Sequence, residues 1–159
     1  VAQTLKSSRD DLVDRIKQLQ SNLRVQEKEL AALKSKAASQ AGGDLLSQAL
    51  DVKGIKVLTA VIEGADAKTL RDTVDQLKNK LVAAVVVLAS SLDGKVSIIV
   101  GVTKSETSQI RAGDVAKLVA EQCGGKGGGR PDMAQAGGTQ PENLEKALAS
   151  VAQWVESQI

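Results

Sequence analysis

Residues 124–138 read Gly124-Gly125-Lys126-Gly127-Gly128-Gly129-Arg130-Pro131-Asp132-Met133-Ala134-Gln135-Ala136-Gly137-Gly138 and hold seven of the fourteen glycines in the 159-residue chain. Ordering so much glycine is costly in backbone entropy, so something must require it. One such requirement is close approach, because backbone without Cβ atoms can touch phosphates or base faces and offer its N–H groups as donors. Lys126 and Arg130 add positive charge beside that backbone, and a guanidinium can hold a phosphate bidentately or stack on a base. The composition suits an extended anionic ligand.

Two phosphate-binding patterns fail on spacing. A P-loop needs Gly-Lys-Ser/Thr after its glycines, whereas Gly129 is followed by Arg130 and Pro131. The dinucleotide fingerprint G-x-G-x-x-G counted from Gly125 or Gly127 meets Arg130 or Asp132 in its third glycine place. A flexible linker is the bland alternative, but linkers of this kind are Gly/Ser-rich and serine is absent from the segment.

The chain has no histidine, which removes Ser/His/Asp and Cys/His nucleophile systems, histidine-containing zinc sites and the commonest general base near neutral pH. It also has no Tyr or Phe and one Trp, so it lacks the aromatic platforms on which single-stranded binders stack bases. No catalytic or metal-ligating set is expected. A net charge of +2 and a pI near 8.7 are too mild to mark a nucleic-acid binder by composition alone. Cys123, the single cysteine, precedes the glycine segment at a helix end, where the dipole would raise its pKa. Asp132 fits a turn better than a metal site, and Trp154 fits core packing better than base stacking.

The glycine segment needs a frame. From residue 2 to about residue 37, Ala2, Ile16, Leu23, Leu30 and Ala37 fall on one heptad line, with Leu5, Leu12, Leu19 and Leu33 on the other. This predicts a long amphipathic, coiled-coil-like arm whose apolar stripe needs either a helix outside this chain or a second copy of it, a surface helix of the globular part being the bland alternative. Arg9, Arg15, Lys17, Arg24 and Lys28 on that arm are mixed with acids and read as a solvated face. Gly42-Gly43 should end the arm, dividing the chain into residues 1–43 and a globular domain of residues 44–159.

In that domain, residues 55–62 predict a strand and Asp66 caps a helix carrying Leu70, Val74, Leu77 and Leu81. Residues 84–89 and 95–102 form a hairpin across Asp93-Gly94. A helix over residues 114–123, with Val115, Leu118 and Val119 inward, stops at Gly124-Gly125. The glycine loop follows, with a short strand near residues 133–136. Thr139-Gln140-Pro141-Glu142 then reads as a capping box opening a last helix with Leu144, Leu148, Val151 and Val155 inward. The fold class is α/β, with one sheet packed by helices. The longest apolar run, residues 81–89, is too short to span a bilayer, and with no sign of an oxidising compartment the cytoplasm is the default.

The glycine segment resembles the signature at the end of bacterial alanyl-tRNA synthetases, and Ala149-Ser150-Val151 with Trp154-Val155 agrees. The resemblance covers the whole chain, its globular part being similar to the accessory domain of DHH-type phosphoesterases. It implies a non-catalytic domain that binds the outer corner of L-shaped tRNA, alanine tRNA in the parent, and helps couple aminoacylation with editing of mischarged tRNA. The RNA-binding residues would be Gly124, Gly125, Lys126, Gly127, Gly128, Gly129, Arg130, Gln135, Gly137 and Gly138. The partners implied are tRNA and the upstream aminoacylation and editing domains, with ATP, magnesium and zinc upstream and no cofactor here. Two other functions stay open: a nucleic-acid-binding accessory domain of a DHH-type phosphoesterase, and a coiled-coil dimerisation module.

Overall fold

The computed structural model describes residues 9–159, with side chains apart from those of residues 9–10 and 34–43. The described residues fall into two compact units divided between Lys36 and Ala37. The first consists of most of helix α1 (Arg9–Ser47), on which Leu12, Ile16, Leu19, Leu23, Leu30 and Leu33 are all exposed, Leu19 to 67%. Ala2 and Leu5 of the expected heptad lie outside the described residues, as does the side chain of Ala37.

Gly42 and Gly43 do not end α1, which runs on to Ser47. Two helical glycines cost about 1 kcal/mol each relative to alanine. Continuing the helix places Leu45 in the core at 8% exposure, a burial worth about 1.5–3 kcal/mol. The half-buried Leu46 packs beside the same cluster, so tertiary packing outweighs local propensity.

The second unit is built on a six-stranded sheet in the order β1-β2-β3-β4-β6-β5. Its strands are β1 (Leu50–Val52), β2 (Ile55–Val61), β3 (Ala84–Leu92), β4 (Lys95–Val102), β5 (Lys126–Gly129) and β6 (Met133–Gly138). Only the β2–β3 pair is parallel. Helix α2 (Ala67–Lys80) supplies that crossover and packs on β3 and β4. Helices α3 (Ala112–Gln122) and α4 (Leu144–Gln158) cover the opposite face. The alternation of β4 sends Ile98 and Val100 to the α3/α4 side and Ile99 to the α2 side. β3 is apolar from Ala84 to Ala89 because helices bury both its faces.

Local chemistry fixes several boundaries as the sequence predicts. The Asp66 carboxylate accepts the Thr69 N–H at 2.8 Å and starts α2. Asp93 and Gly94, at φ 51° and 74°, make the primed turn between β3 and β4. The capping box at Thr139 does not form. The Thr139 and Gln140 N–H groups both donate to the Cys123 carbonyl at 3.0 Å, so the chain stays tied to the end of α3. It then passes through a 3-10 turn (Pro141–Asn143) before α4 begins, with no side-chain cap on either piece.

Candidate nucleic-acid interface

The glycine-rich segment is a β-hairpin at the edge of the sheet rather than a loop. β5 pairs antiparallel with β6 from Lys126↔Gly137 to Gly129↔Ala134, and the Arg130 N–H donates to the Met133 carbonyl at 2.9 Å across the Pro131-Asp132 turn. Local composition hides β5, since Lys-Gly-Gly-Gly has neither β-propensity nor alternation. Its register comes from β6, which is itself paired to β4 from Val96↔Gly138 to Gly101↔Met133.

Packing inside the hairpin explains most of its glycines without any ligand. A Cβ on Gly125 would collide with the carbonyl oxygen of Gly137, and one on Gly127 with Ala136 and with the Ala116 backbone of α3. At Gly129 it would stand 2.6 Å from the Ala134 Cα, and at Gly138 2.5 Å from the Cys123 carbonyl. Gly124 ends α3 in the left-handed region at φ 68°. Gly137 is tight, with the Val96 carbonyl 3.3 Å from a Cβ position. Gly128 is the exception. It is exposed, its φ is not in the left-handed region, and a Cβ there would meet nothing within 4 Å.

Register then places the remaining residues. Gly127 and Ala136 face α3, so Lys126, Gly128, Gln135 and Gly137 face the α2 side of the sheet. Helix α2 rests on β3 and β4 and leaves the outer strands β6 and β5 largely uncovered there. The result is a strip of sheet bare of side chains at Gly128 and Gly137 and carrying Gln135 and Met133, with Lys126 at one end and Arg130 at the other. Between this strip and α2 lies a groove of about 400 Å³, lined by Arg71 and Asp75 of α2, by Ile99, and by Gly128, Gly129, Arg130, Asp132, Met133, Ala134 and Gln135 of the hairpin. The Lys78 ammonium donates to the Asp132 carbonyl at 3.0 Å and joins α2 to the hairpin turn. Among the described residues Arg71, Asp75, Lys126 and Arg130 make no ion pair.

Of the ten residues expected to touch RNA, Lys126, Gly128, Arg130, Gln135 and Gly137 face this surface, and Gly129 borders the groove. Gly124, Gly125, Gly127, Gly129 and Gly138 shape the hairpin and seat it on α3 and on the Cys123 end of that helix. Sequence reasoning missed Arg71 and Asp75. They lie one residue beyond the buried positions Leu70 and Val74, and nothing local shows which flank of α2 meets the hairpin.

The other residues singled out from sequence lie elsewhere. Trp154 is half-buried against the α3/α4 core. Cys123 is buried, and that burial first and the Glu142 carboxylate second push its thiol pKa up, in the direction expected from the helix end but for a different leading cause. Among the described residues no group of His, Cys, Asp or Glu could hold a metal ion, and no helix is long and apolar enough to cross a membrane.

Residues 54–157 match the DHHA1 domain family. The chain is 56% identical, over 99% of its length, to an alanine–tRNA ligase of Paraburkholderia phymatum, of which it covers 18%. Its fold is similar to the C-Ala domain of Aquifex aeolicus alanyl-tRNA synthetase, with a TM-score of 0.65, 28% identity, and 68% of this chain and 97% of that one covered. A DHH-domain protein from a family of ribosomal proteins shares the fold at a TM-score of 0.53 and 14% identity, covering 76% of this chain and 30% of that one.

Proposed function

Because this chain belongs to the DHHA1 domain family, and because alanine–tRNA ligases match it over almost its whole length, we propose that it is the tRNA-binding C-terminal domain of such a ligase. The exposed strip of the hairpin meets the outer corner of tRNA. The observation that carries this reading is Gly128, whose missing side chain serves no packing need while Lys126 and Arg130 flank it. A strip with bare backbone at Gly128 and Gly137 and cations at its ends suits a folded corner, where shape and phosphate position are presented rather than a base sequence.

In this reading the chain holds tRNA while aminoacylation and editing of mischarged tRNA take place in upstream domains, with ATP, magnesium and zinc used there. Tethering raises the local concentration of tRNA at both centres. The chain spans about a fifth of the ligases it matches, and it performs no bond-making step itself. A cytoplasmic location follows from the same reading.

The direct test is Lys126→Ala combined with Arg130→Ala. Both side chains are exposed and unpaired, so folding should be unchanged. tRNA affinity should fall by roughly 1–3 kcal/mol, and the slope of log K against log salt should shrink by about 0.7–0.9 for each phosphate no longer neutralised. Unchanged affinity in a titration at moderate salt would remove the hairpin from the site.

The apolar line on α1 supports an additional role. Six large apolar residues at heptad spacing, from Leu12 to Leu33, are exposed along about six helical turns, so the arm pairs either with a helix of the parent protein or with a second copy of this chain.

A further inference from the structure

Arg71 and Asp75 stand on the flank of α2 that faces the uncovered strands. Lys78, one turn further along the same flank, packs over Gly101 and reaches the hairpin turn. The sheet register runs Ile99↔Gln135↔Gly128 straight across β4, β6 and β5, so Gln135 and Gly128 form the floor beside the Arg71 and Asp75 wall.

We propose that Arg71 and Asp75 hold a nucleobase: the groove between α2 and the hairpin takes one base of the bound RNA, while its phosphates lie at Lys126 and at the rim of the groove by Arg130. This rests on the reading of the hairpin as the RNA surface. A groove for phosphate would not carry an unpaired carboxylate on its wall, because like charges repel and desolvating both is unfavourable. A base is neutral and displays donors as well as acceptors on its edges. Asp75 accepts from an amino or imino group, the Gln135 carboxamide can do either, and the planar Arg71 guanidinium stacks on a base or donates to its acceptors. The floor at Gly128 lets the base plane approach the backbone closely.

The test is a set of titrations of the full chain with tRNA at several salt concentrations. Arg71→Ala should weaken binding by roughly 10-fold to 100-fold while leaving the salt slope and the melting temperature unchanged, and Arg71→Lys should rescue little of it because an ammonium has no plane to stack. Asp75→Asn should weaken binding. The inference is overturned if Arg71→Ala binds like the parent chain, if it lowers the slope by the ~0.7–0.9 expected of a phosphate partner, or if Asp75→Asn tightens binding. Reduced affinity in Lys126→Ala/Arg130→Ala with none in Arg71→Ala removes the base groove and leaves the hairpin reading standing. Full affinity in both variants removes both.

Discussion

Replacing Gly128 with valine separates glycine kept for ligand approach from glycine kept for folding. The valine Cβ enters open space from a backbone conformation that any residue can adopt. Relative to glycine it lowers the entropy of the unfolded chain, worth about 0.4–1 kcal/mol, and β-branched residues suit strands within a scale of about 1 kcal/mol. The melting temperature should therefore hold or rise by a few degrees. Bulk at this point keeps any flat ligand off the floor beside Gln135, and preventing one base from stacking on the surface costs roughly 1–3 kcal/mol. Gly125→Ala is the paired control, since its Cβ would meet the Gly137 carbonyl, a backbone atom that cannot swing aside. Overpacking of that kind costs typically about 1–3 kcal/mol, so this variant should melt lower. The assay is thermal unfolding followed by tRNA titration on the same samples. The reasoning fails if Gly128→Val folds as well as the parent chain and binds tRNA equally tightly, or if Gly125→Ala is as stable as the parent.

Lys substituted at both Leu19 and Leu23, exposed to 67% and 58%, should abolish self-association of the full chain in sedimentation velocity, if a second copy is what pairs with α1, without changing the melting of residues 37–159. For Cys123 the folded pKa lies above the ordinary value of 9.0, so the unfolded chain gives up the proton first. The stability contributed by the neutral buried thiol is complete below pH 9.0 and is lost as pH rises through the raised folded value. Urea unfolding at pH 8 and pH 10 should show this loss in the parent chain and not in Cys123→Ala. An aromatic disulfide reagent should label Cys123 only in denaturant.

Elements set by local chemistry were legible in the sequence. The Asp66 cap, the Asp93-Gly94 turn and the β-branched runs of β2 and β4 announce themselves within a few residues. Elements set by distant partners were not. β5 is a strand because β6 and α3 hold it, and α1 passes Gly42-Gly43 because Leu45 reaches a core built from residues up to Ile99. The site divides the same way. Lys126 and Arg130 stand out beside the glycines, but the separation of Gly128 from its neighbours needs the distances to α3 and β6. The part of Arg71 and Asp75 needs the sheet order, which brings β6 next to β4 and the hairpin beside α2.

The most direct test of the central claim is an amide map of the deuterated chain, by transverse-relaxation-optimised NMR, as tRNA is added. The account predicts that shifts and broadening concentrate in residues 126–138 and along the α2 flank from Arg71 to Lys78, the Gly128 amide among the first to change. Perturbation confined to α4 or to the arm, with the hairpin amides unmoved at saturating tRNA, would contradict it.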